Sequence, residues 1–202
     1  MYYALVILLA YLLGSSNLSF YISKLKKIDI RQKGSQNLGA SNAMLVFGWK
    51  HGIMVGIHDI GKSALAVILA NTLVPELPYI GAIAGVASVL GHIFPFYLKF
   101  KGGKGFASFI GMALAINWKC ALVLMLVVVA VTLITDYIVV GTTLTITIVP
   151  TALGIMERNW LLPLILLLGT IVIIWKHREN YVRIVKGTEI GLRSANRGEH
   201  RS

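Results

Sequence analysis

Cysteine and acidic residues are scarce in this chain of 202 residues. Its one cysteine, Cys120, cannot form an internal disulfide, which excludes a disulfide-stabilised secreted scaffold. Only 13% of the residues are charged and 56% are apolar, whereas about a quarter of the residues in a soluble domain are charged. Disordered chains have low hydrophobicity, so the composition excludes that class as well. It predicts an integral membrane protein.

Seven apolar segments are candidates for membrane-spanning helices, each of which needs about 20 residues to cross a bilayer. They are residues 2–22, 52–73, 79–98, 106–118, 121–135, 138–156 and 160–175. The fourth segment has only thirteen residues, so a re-entrant or tilted half-helix is an alternative for it. The sequence has no internal repeat and no long linker. It predicts an all-α polytopic bundle of about seven transmembrane helices that forms a single membrane-embedded domain, residues 1–202.

Basic residues are concentrated in three blocks that predict the orientation of this bundle. Sixteen of the nineteen Lys and Arg lie in residues 24–50, 99–104 and 176–201. Loops rich in Lys and Arg stay in the cytoplasm, and seven spans place all three blocks on that side. We therefore expect the N-terminus outside and the C-terminus in the cytoplasm. Five spans keep the same parity if two weak helices pair as a hairpin that does not cross.

The basic charge is also compatible with nucleic-acid binding, which requires an exposed soluble module that carries a basic stripe. No polar stretch in this chain is long enough to form one. We expect no nucleic-acid partner, and we interpret the charge as membrane topology combined with anionic ligands.

The first two basic blocks contain residues suited to phosphate. After Arg31, a stretch rich in Gly, Ser and Asn can turn its backbone N–H groups towards an anion. The alternative is a solvated loop with a helix N-cap at Ser41 or Asn42. In the second block, glycines on either side of Lys104 let the backbone approach phosphate, and the alternative is a flexible loop. His92, just before this block, is by itself more typical of a hydrogen-bonded structural residue.

The third block and one segment inside the second span hold further polar residues. If the third block is helical, His177, Asn180 and Arg183 recur at i, i+3 and i+6, so neighbours share a face. A basic helix resting on anionic lipid would have the same charge pattern. Asp59 and Lys62 lie inside a span, where ionisable groups usually face the bundle interior and pair with each other. All three blocks lie on one predicted side, and together they predict a phosphate-recognising site at the cytoplasmic face.

The order of the motifs is more specific than any one of them. They are YLLGS at residues 11–15, GSQNLGASN at 34–42, Asp59 and Lys62 three residues apart, GHIFP at 91–95, FKGGKG at 100–105 and HRENYVRIVKGTE at 177–189. In this order they resemble the bacterial acyl-phosphate-dependent glycerol-3-phosphate acyltransferases of the PlsY family. Two positions depart from that family's pattern, because Gln36 replaces a usual glycine and Leu45 replaces a usual arginine.

The resemblance implies transfer of a fatty acyl group from acyl-phosphate to the 1-hydroxyl of sn-glycerol 3-phosphate, in phospholipid biosynthesis. It implies a multi-pass protein of the bacterial cell membrane with its active site facing the cytoplasm. The expected partners are the two substrates, membrane lipid and the enzyme that makes acyl-phosphate. We expect no cofactor and no metal.

The site residues expected on this basis fall into two sets. We expect acyl-phosphate to bind at Ser35, Asn37, Gly102, Gly103 and Lys104, and glycerol 3-phosphate at Arg31, Asn42, His177, Asn180 and Arg183. Ser35, Lys104 and His177 are the expected catalytic residues. The hydroxyl proton has three candidate acceptors, which are His177, His92 and the phosphate of the substrate.

Two other functions remain open from the sequence alone. A small transporter of an anionic solute would use Asp59 and Lys62 to line its path, although the last three spans are almost bare of charge. A non-catalytic lipid-binding paralogue is the second alternative, because of Gln36 and Leu45.

Overall fold

The computed structural model describes residues 1–193, and over that range the chain is helical with no strand. The predicted all-helical class is therefore confirmed for these residues. The nine α-helices of the described range are α1 (Tyr2–Ser15), α2 (Leu18–Lys26), α3 (Ala40–Phe47), α4 (Trp49–Leu73), α5 (Ile80–Ile93), α6 (Phe106–Ile116), α7 (Trp118–Thr135), α8 (Ile138–Met156) and α9 (Leu161–Val185). Short 3-10 turns occupy Ile30–Gln32 and Phe96–Leu98. The end of the third basic block, after residue 193, lies outside the described residues.

Six helical segments of the described range are long and apolar enough to cross a membrane. They are Tyr2–Lys26, Trp49–Leu73, Ile80–Leu98, Trp118–Thr135, Ile138–Met156 and Leu161–Val185. The remaining predicted span corresponds to α6, which ends at Ile116 and not at Trp118. Its eleven residues extend only about 16 Å, roughly half of a bilayer core. By length, α6 suits the half-helix alternative better than a complete span.

The chain forms two compact units. The first comprises Met1–Asn117 and the second begins at Trp118. Small residues let the helices of the first unit approach closely: a Cβ on Gly14 of α1 would overlap the backbone of Ser88 on α5, and one on Gly111 of α6 would overlap the backbone of Ile60 on α4. This packing is typical of helices in membranes, where close van der Waals contact drives association. That residues 1–202 form one domain stays a prediction.

The first predicted span is broken, which the apolar pattern did not indicate. α1 ends at Ser15, and Asn17 caps α2 by accepting a hydrogen bond from the N–H of Phe20 at 2.9 Å. A break frees backbone carbonyls that helical bonds would otherwise satisfy. Here side chains satisfy them: Tyr97 Oη donates to Ser15 O at 2.9 Å, and Lys62 Nζ donates to Ser16 O at 2.7 Å.

The second unit contains α7, α8 and α9. Gly141 of α8 lies against the backbone of Val128 on α7, where a Cβ would be too close. α9 continues ten residues past Trp175, the predicted end of the last span, and ends at Val185. The third basic block therefore begins on the same helix as the apolar segment, and the conditional prediction that it is helical is confirmed for residues 176–185.

Candidate functional site

Asn42, at the start of α3, holds together the loop of the first basic block. Its side chain is fully buried. Oδ1 accepts the N–H of Ser35 at 2.8 Å, and Nδ2 lies 3.1 Å from Ile30 O, 3.1 Å from Lys33 O and 2.9 Å from Asn37 O. The polar atoms of Asn42 are thus used inside the loop. Its predicted contact with glycerol 3-phosphate is untested, and this geometry favours a structural role.

α3 does not begin with a side-chain N-cap at Ser41 or Asn42, which was the alternative predicted for this block. Gly39 is the N-cap of α3, and no side chain caps the helix. Ser41 and Asn42 lie inside the first turn, so neither is the predicted cap residue. The reason is local: Asn42 turns back onto residues 30–37 and cannot also bond the N–H groups ahead of it.

The loop that Asn42 holds leaves Ser35 and Asn37 half-buried. Within residues 1–193, no hydrogen bond involves the Ser35 hydroxyl, so this hydroxyl is available to a ligand. Between them, Gln36 has a φ of +59°, in the left-handed region that favours glycine. This conformation gives a physical reason why a glycine suits the position that Gln36 occupies.

Arg31, on the same loop, is paired within the protein. Its Nε and Nη2 atoms each donate to the carboxylate of Asp29 at 2.9 Å, and the Asp29 side chain also accepts the Arg31 N–H. This fork-like pairing lowers the pKa of Asp29 and raises that of Arg31. Asp29 was not among the predicted site residues, although it lies only two residues before Arg31 in the sequence. A phosphate at Arg31 would compete with this carboxylate.

A buried charge cluster links α4 to α5. Lys62 Nζ lies 2.9 Å from Asp59 Oδ1 and 2.8 Å from His92 Nδ1. The three side chains are at most 3% exposed. His58 Nδ1 is 3.3 Å from the same Asp59 oxygen, and its Nε2 is 3.0 Å from the Ser16 hydroxyl. The predicted pairing of Asp59 with Lys62 is confirmed, and His92 lies in that cluster.

Gly102 and Gly103 pack directly against His92. The N–H of Gly102 donates to Ile93 O at 3.0 Å, and the N–H of Gly103 donates to His92 O at 3.2 Å. A Cβ on Gly103 would overlap His92 Nε2, and one on Gly102 would overlap His92 O. These two N–H groups are occupied, so the predicted phosphate contact of these glycines has no backbone donor in this arrangement. Their lack of a side chain instead allows the close approach to His92.

Lys104 follows directly, at the entrance to α6. Its side chain is half-buried, whereas that of Lys101 is exposed. Gly105, with a φ of +96°, is the N-cap of α6. Lys104 therefore precedes a helix N-terminus, whose partial positive charge would add to that of the ammonium group.

In the second unit, α9 and the turn after it bring together the predicted residues of the third block. Glu189 accepts hydrogen bonds from Asn180 Nδ2 at 2.5 Å and from Arg183 Nε at 2.6 Å. The Arg183 Nη2 atom is buried and makes no hydrogen bond within the described part of the chain. Glu189 occurs in the motif but was not among the predicted site residues, although it orients two of them.

His177 lies one turn before Asn180 on α9 and is buried. Its Nδ1 atom is 2.9 Å from Ile173 O. A carbonyl only accepts, so Nδ1 carries the proton in the neutral ring and Nε2 is its acceptor atom.

Comparison with known proteins covers nearly the whole chain. Residues 4–187 match the protein family described as Glycerol-3-phosphate acyltransferase. Glycerol-3-phosphate acyltransferase 1 of Oceanobacillus iheyensis is 36% identical over 203 residues, which cover 96% of this chain and 97% of that protein. The glycerol-3-phosphate acyltransferase of Shouchella clausii is 38% identical over 189 residues, which cover 91% and 92% of the two chains.

A solved structure shares the fold. The crystal structure of PlsY (YgiH), an integral membrane glycerol 3-phosphate acyltransferase, in its glycerol 3-phosphate form superimposes with a TM-score of 0.89 at 30% identity, covering 95% of this chain and 96% of that one. The lysophosphatidic acid form gives a TM-score of 0.86. The predicted class of helical integral membrane protein is thus confirmed, as is the predicted resemblance. The chain belongs to the glycerol-3-phosphate acyltransferase family, in its PlsY branch.

Proposed function

We propose that this protein transfers a fatty acyl group from acyl-phosphate to the 1-hydroxyl of sn-glycerol 3-phosphate. The products are 1-acyl-glycerol 3-phosphate, a lysophosphatidic acid, and inorganic phosphate. The observation that carries the proposal is the family match over residues 4–187, which includes the first two basic blocks and the third block up to residue 187. The glycerol 3-phosphate and lysophosphatidic acid forms of the related PlsY support the acceptor and the product.

The reaction needs orientation and charge stabilisation more than a covalent intermediate. Acyl-phosphate is a mixed anhydride with a good leaving group. The 1-hydroxyl oxygen attacks the acyl carbon, the bond from that carbon to the bridging oxygen breaks, and phosphate leaves with the electron pair. The hydroxyl loses its proton in the same process. Positioning and fixed donors can therefore supply most of the catalysis.

In the first unit, we assign acyl-phosphate to Lys104 and Ser35. Lys104 supplies positive charge at the entrance to α6, where negative charge collects on the leaving phosphate. Ser35 offers a hydroxyl that no other group in the described range uses, and Asn37 lies on the same loop. Gly102 and Gly103 contribute by placing Lys104, since their N–H groups bond within the protein.

In the second unit, we assign the phosphate of glycerol 3-phosphate to Arg183 and Asn180. Guanidinium and amide donors suit a phosphate, and Arg183 Nη2 has hydrogens that no described residue accepts. Glu189 fixes both side chains, which reduces the entropy lost when the anion binds. Arg31 and Asn42, which were also predicted to bind glycerol 3-phosphate, are already bonded within their own loop.

We assign the hydroxyl proton to His177 or to the phosphate of the substrate, and His177 lies on the same helix as Asn180 and Arg183. The bond from His177 Nδ1 to Ile173 O leaves Nε2 as the acceptor atom of the ring. The variant His177→Gln distinguishes the two acceptors. If His177 is the base, the variant loses most of its kcat. If a phosphate takes the proton, the kcat of the variant is largely unchanged.

We place the protein in the bacterial cell membrane with the three basic blocks on the cytoplasmic side, which the positive-inside rule supports. Cytoplasmic access suits both phosphorylated substrates. An enzyme that makes acyl-phosphate then supplies the donor, and the apolar faces of the spans accommodate its acyl chain.

The transporter alternative has little support in this structure. Asp59 and Lys62 bond to each other, to Ser16 O and to His92, so these charges are engaged in packing α4 against its neighbours. A non-catalytic paralogue is favoured by one observation, the half-buried Leu45 on α3 at a position where the family usually has arginine.

An assay of acyl donors tests the proposal. Purified protein in lipid vesicles receives labelled glycerol 3-phosphate with either palmitoyl phosphate or palmitoyl-CoA. We expect labelled lysophosphatidic acid from palmitoyl phosphate only, with chelator present. Equal or faster product formation from palmitoyl-CoA would contradict the assigned donor, and no product from either would favour the non-catalytic alternative.

A further inference from the structure

We propose that Asp59 and Lys62 are positioning residues: they fix His92 in one tautomer and thereby hold the loop of Gly102, Gly103 and Lys104 in place. The proposal rests on the proposed function, because it assumes that Lys104 contacts acyl-phosphate. The buried ion pair inside α4 then has a role in the reaction in addition to any role in folding.

The number of donors on Lys62 determines the tautomer of His92. An ammonium group has three hydrogens and accepts none. Three groups surround Nζ at bonding distance: Ser16 O at 2.7 Å, Asp59 Oδ1 at 2.9 Å and His92 Nδ1 at 2.8 Å. Each hydrogen has one partner, so Nδ1 of His92 is the acceptor. A neutral ring then carries its proton on Nε2.

This assignment separates His92 from His177. His92 accepts at Nδ1 and keeps its hydrogen on Nε2, whereas His177 donates from Nδ1 to Ile173 O. The two rings are thus held in opposite tautomers. His92 cannot accept a proton at Nε2 in this state, so it is a poor candidate for the base that takes the hydroxyl proton.

The position of the His92 ring determines the position of the glycine loop, because the two are in direct contact. Its Nε2 edge lies so close to Gly103 that a Cβ there would not fit, and its carbonyl accepts the Gly103 N–H at 3.2 Å. The opposite edge touches Lys62, and Asp59 Oδ1 lies 3.4 Å from Nδ1. Tilting of the ring would shift Gly103 and hence Lys104, the next residue. Small displacements of a charge-stabilising group reduce rate strongly.

Removing the ion pair without changing side-chain size tests this role. The variants are Lys62→Met and Asp59→Asn. The matched control is Ser63→Ala, which removes a buried hydrogen bond between the same two helices, from Ser63 Oγ to Ser88 Oγ at 2.9 Å, but does not involve His92. All are assayed in vesicles with palmitoyl phosphate and glycerol 3-phosphate. Histidine labelled with nitrogen-15 reports the protonation of each ring nitrogen, and His92→Gln identifies the signals of that ring.

For the wild-type protein we expect a His92 ring that is protonated at Nε2 and unprotonated at Nδ1. In Lys62→Met and Asp59→Asn we expect kcat to fall on the order of 10- to 100-fold, with the KM for glycerol 3-phosphate nearly unchanged. In Lys62→Met we also expect a proton on Nδ1, where Asp59 can accept it. Ser63→Ala should remain close to wild type in kcat and in the His92 spectrum. Asp59→Asn preserves shape and serves alone if Lys62→Met does not fold.

A wild-type His92 protonated at Nδ1 would overturn the proposal, and so would variants whose kcat matches that of Ser63→Ala. A different result would show that the proposed acyltransferase activity is wrong. In that case the wild-type protein itself makes no lysophosphatidic acid, while the nitrogen-15 spectrum still decides the tautomer.

Discussion

Oδ1 of Asn42 accepts the N–H of Ser35 at 2.8 Å, so a buried amide on α3 holds the residue whose hydroxyl we assign to acyl-phosphate. The same amide lies within hydrogen-bond distance of three further carbonyls of residues 30–37. The shape of this loop therefore depends on one side chain.

Replacing Asn42 with Ala should destabilise the protein more than it changes substrate affinity. The substitution leaves buried backbone groups without partners, which costs about 2 to 4 kcal/mol of unfolding free energy. We expect a lower thermal midpoint in detergent, with a normal KM for glycerol 3-phosphate in the folded fraction. The exposed neighbour Ser41→Ala is the control and should retain the wild-type midpoint. A raised KM at unchanged stability would instead indicate that Asn42 binds the substrate.

Replacing Gln36 with Gly should stabilise the first loop. Gln36 is exposed and has a φ of +59°, a conformation that costs a residue with a Cβ about 1 kcal/mol relative to glycine. We expect a higher thermal midpoint and activity at least equal to wild type. Gln32→Gly, in the 3-10 turn where φ is not positive, is the control and should give no increase. A fall in activity with Gln36→Gly would show that the amide itself serves the reaction.

Much of the fold was predictable from the sequence because lipid imposes a strong pattern on it. The long apolar segments and basic loops predicted six of the spans. Most of the predicted ends lie within a few residues of the ends in the structure. The break after Ser15 was not predicted, because the apolar composition continues through it; the cap residue Asn17 was its visible signal. The extension of α9 past Trp175 was left conditional because polar residues follow.

The types of residue in the site were predictable from the sequence, but the partners that their side chains bond were less so. The sequence indicates that Asn42, Arg31 and His92 are polar residues beside glycine turns. Whether a side chain faces a ligand or another part of the protein depends on tertiary contacts. Asn42 bonds its own loop, Arg31 bonds Asp29, and His92 bonds Lys62. The tautomers of the two histidines depend in the same way on atoms that the sequence does not bring together.

Lys104→Ala should reduce kcat/KM about 30- to 1000-fold, equivalent to roughly 2 to 4 kcal/mol of transition-state stabilisation. The ammonium group is expected to stabilise the negative charge of the leaving phosphate. Lys101→Ala is the control, because Lys101 is exposed on the same loop and should lose far less activity. Both variants should stay folded. If Lys101→Ala is the more impaired of the two, the phosphate lysine has been assigned to the wrong residue.

Labelling of single cysteines in a Cys120→Ala background tests the membrane orientation. Gln32→Cys and Thr188→Cys lie in the first and third basic blocks and should react only with reagent supplied from the cytoplasmic side. Glu76→Cys, in the exposed turn between α4 and α5, is the opposite control and should react from outside intact cells. Outside labelling at position 32 or 188 would contradict the predicted topology.

The fate of the bridging oxygen of acyl-phosphate tests the proposed reaction most directly. Palmitoyl phosphate labelled with oxygen-18 at that position is incubated with glycerol 3-phosphate and the wild-type protein in vesicles, and the products are analysed by mass spectrometry. Attack at the acyl carbon predicts one labelled inorganic phosphate for each unlabelled lysophosphatidic acid formed. Label recovered in free palmitate, or phosphate released without lysophosphatidic acid, would contradict the proposed acyl transfer.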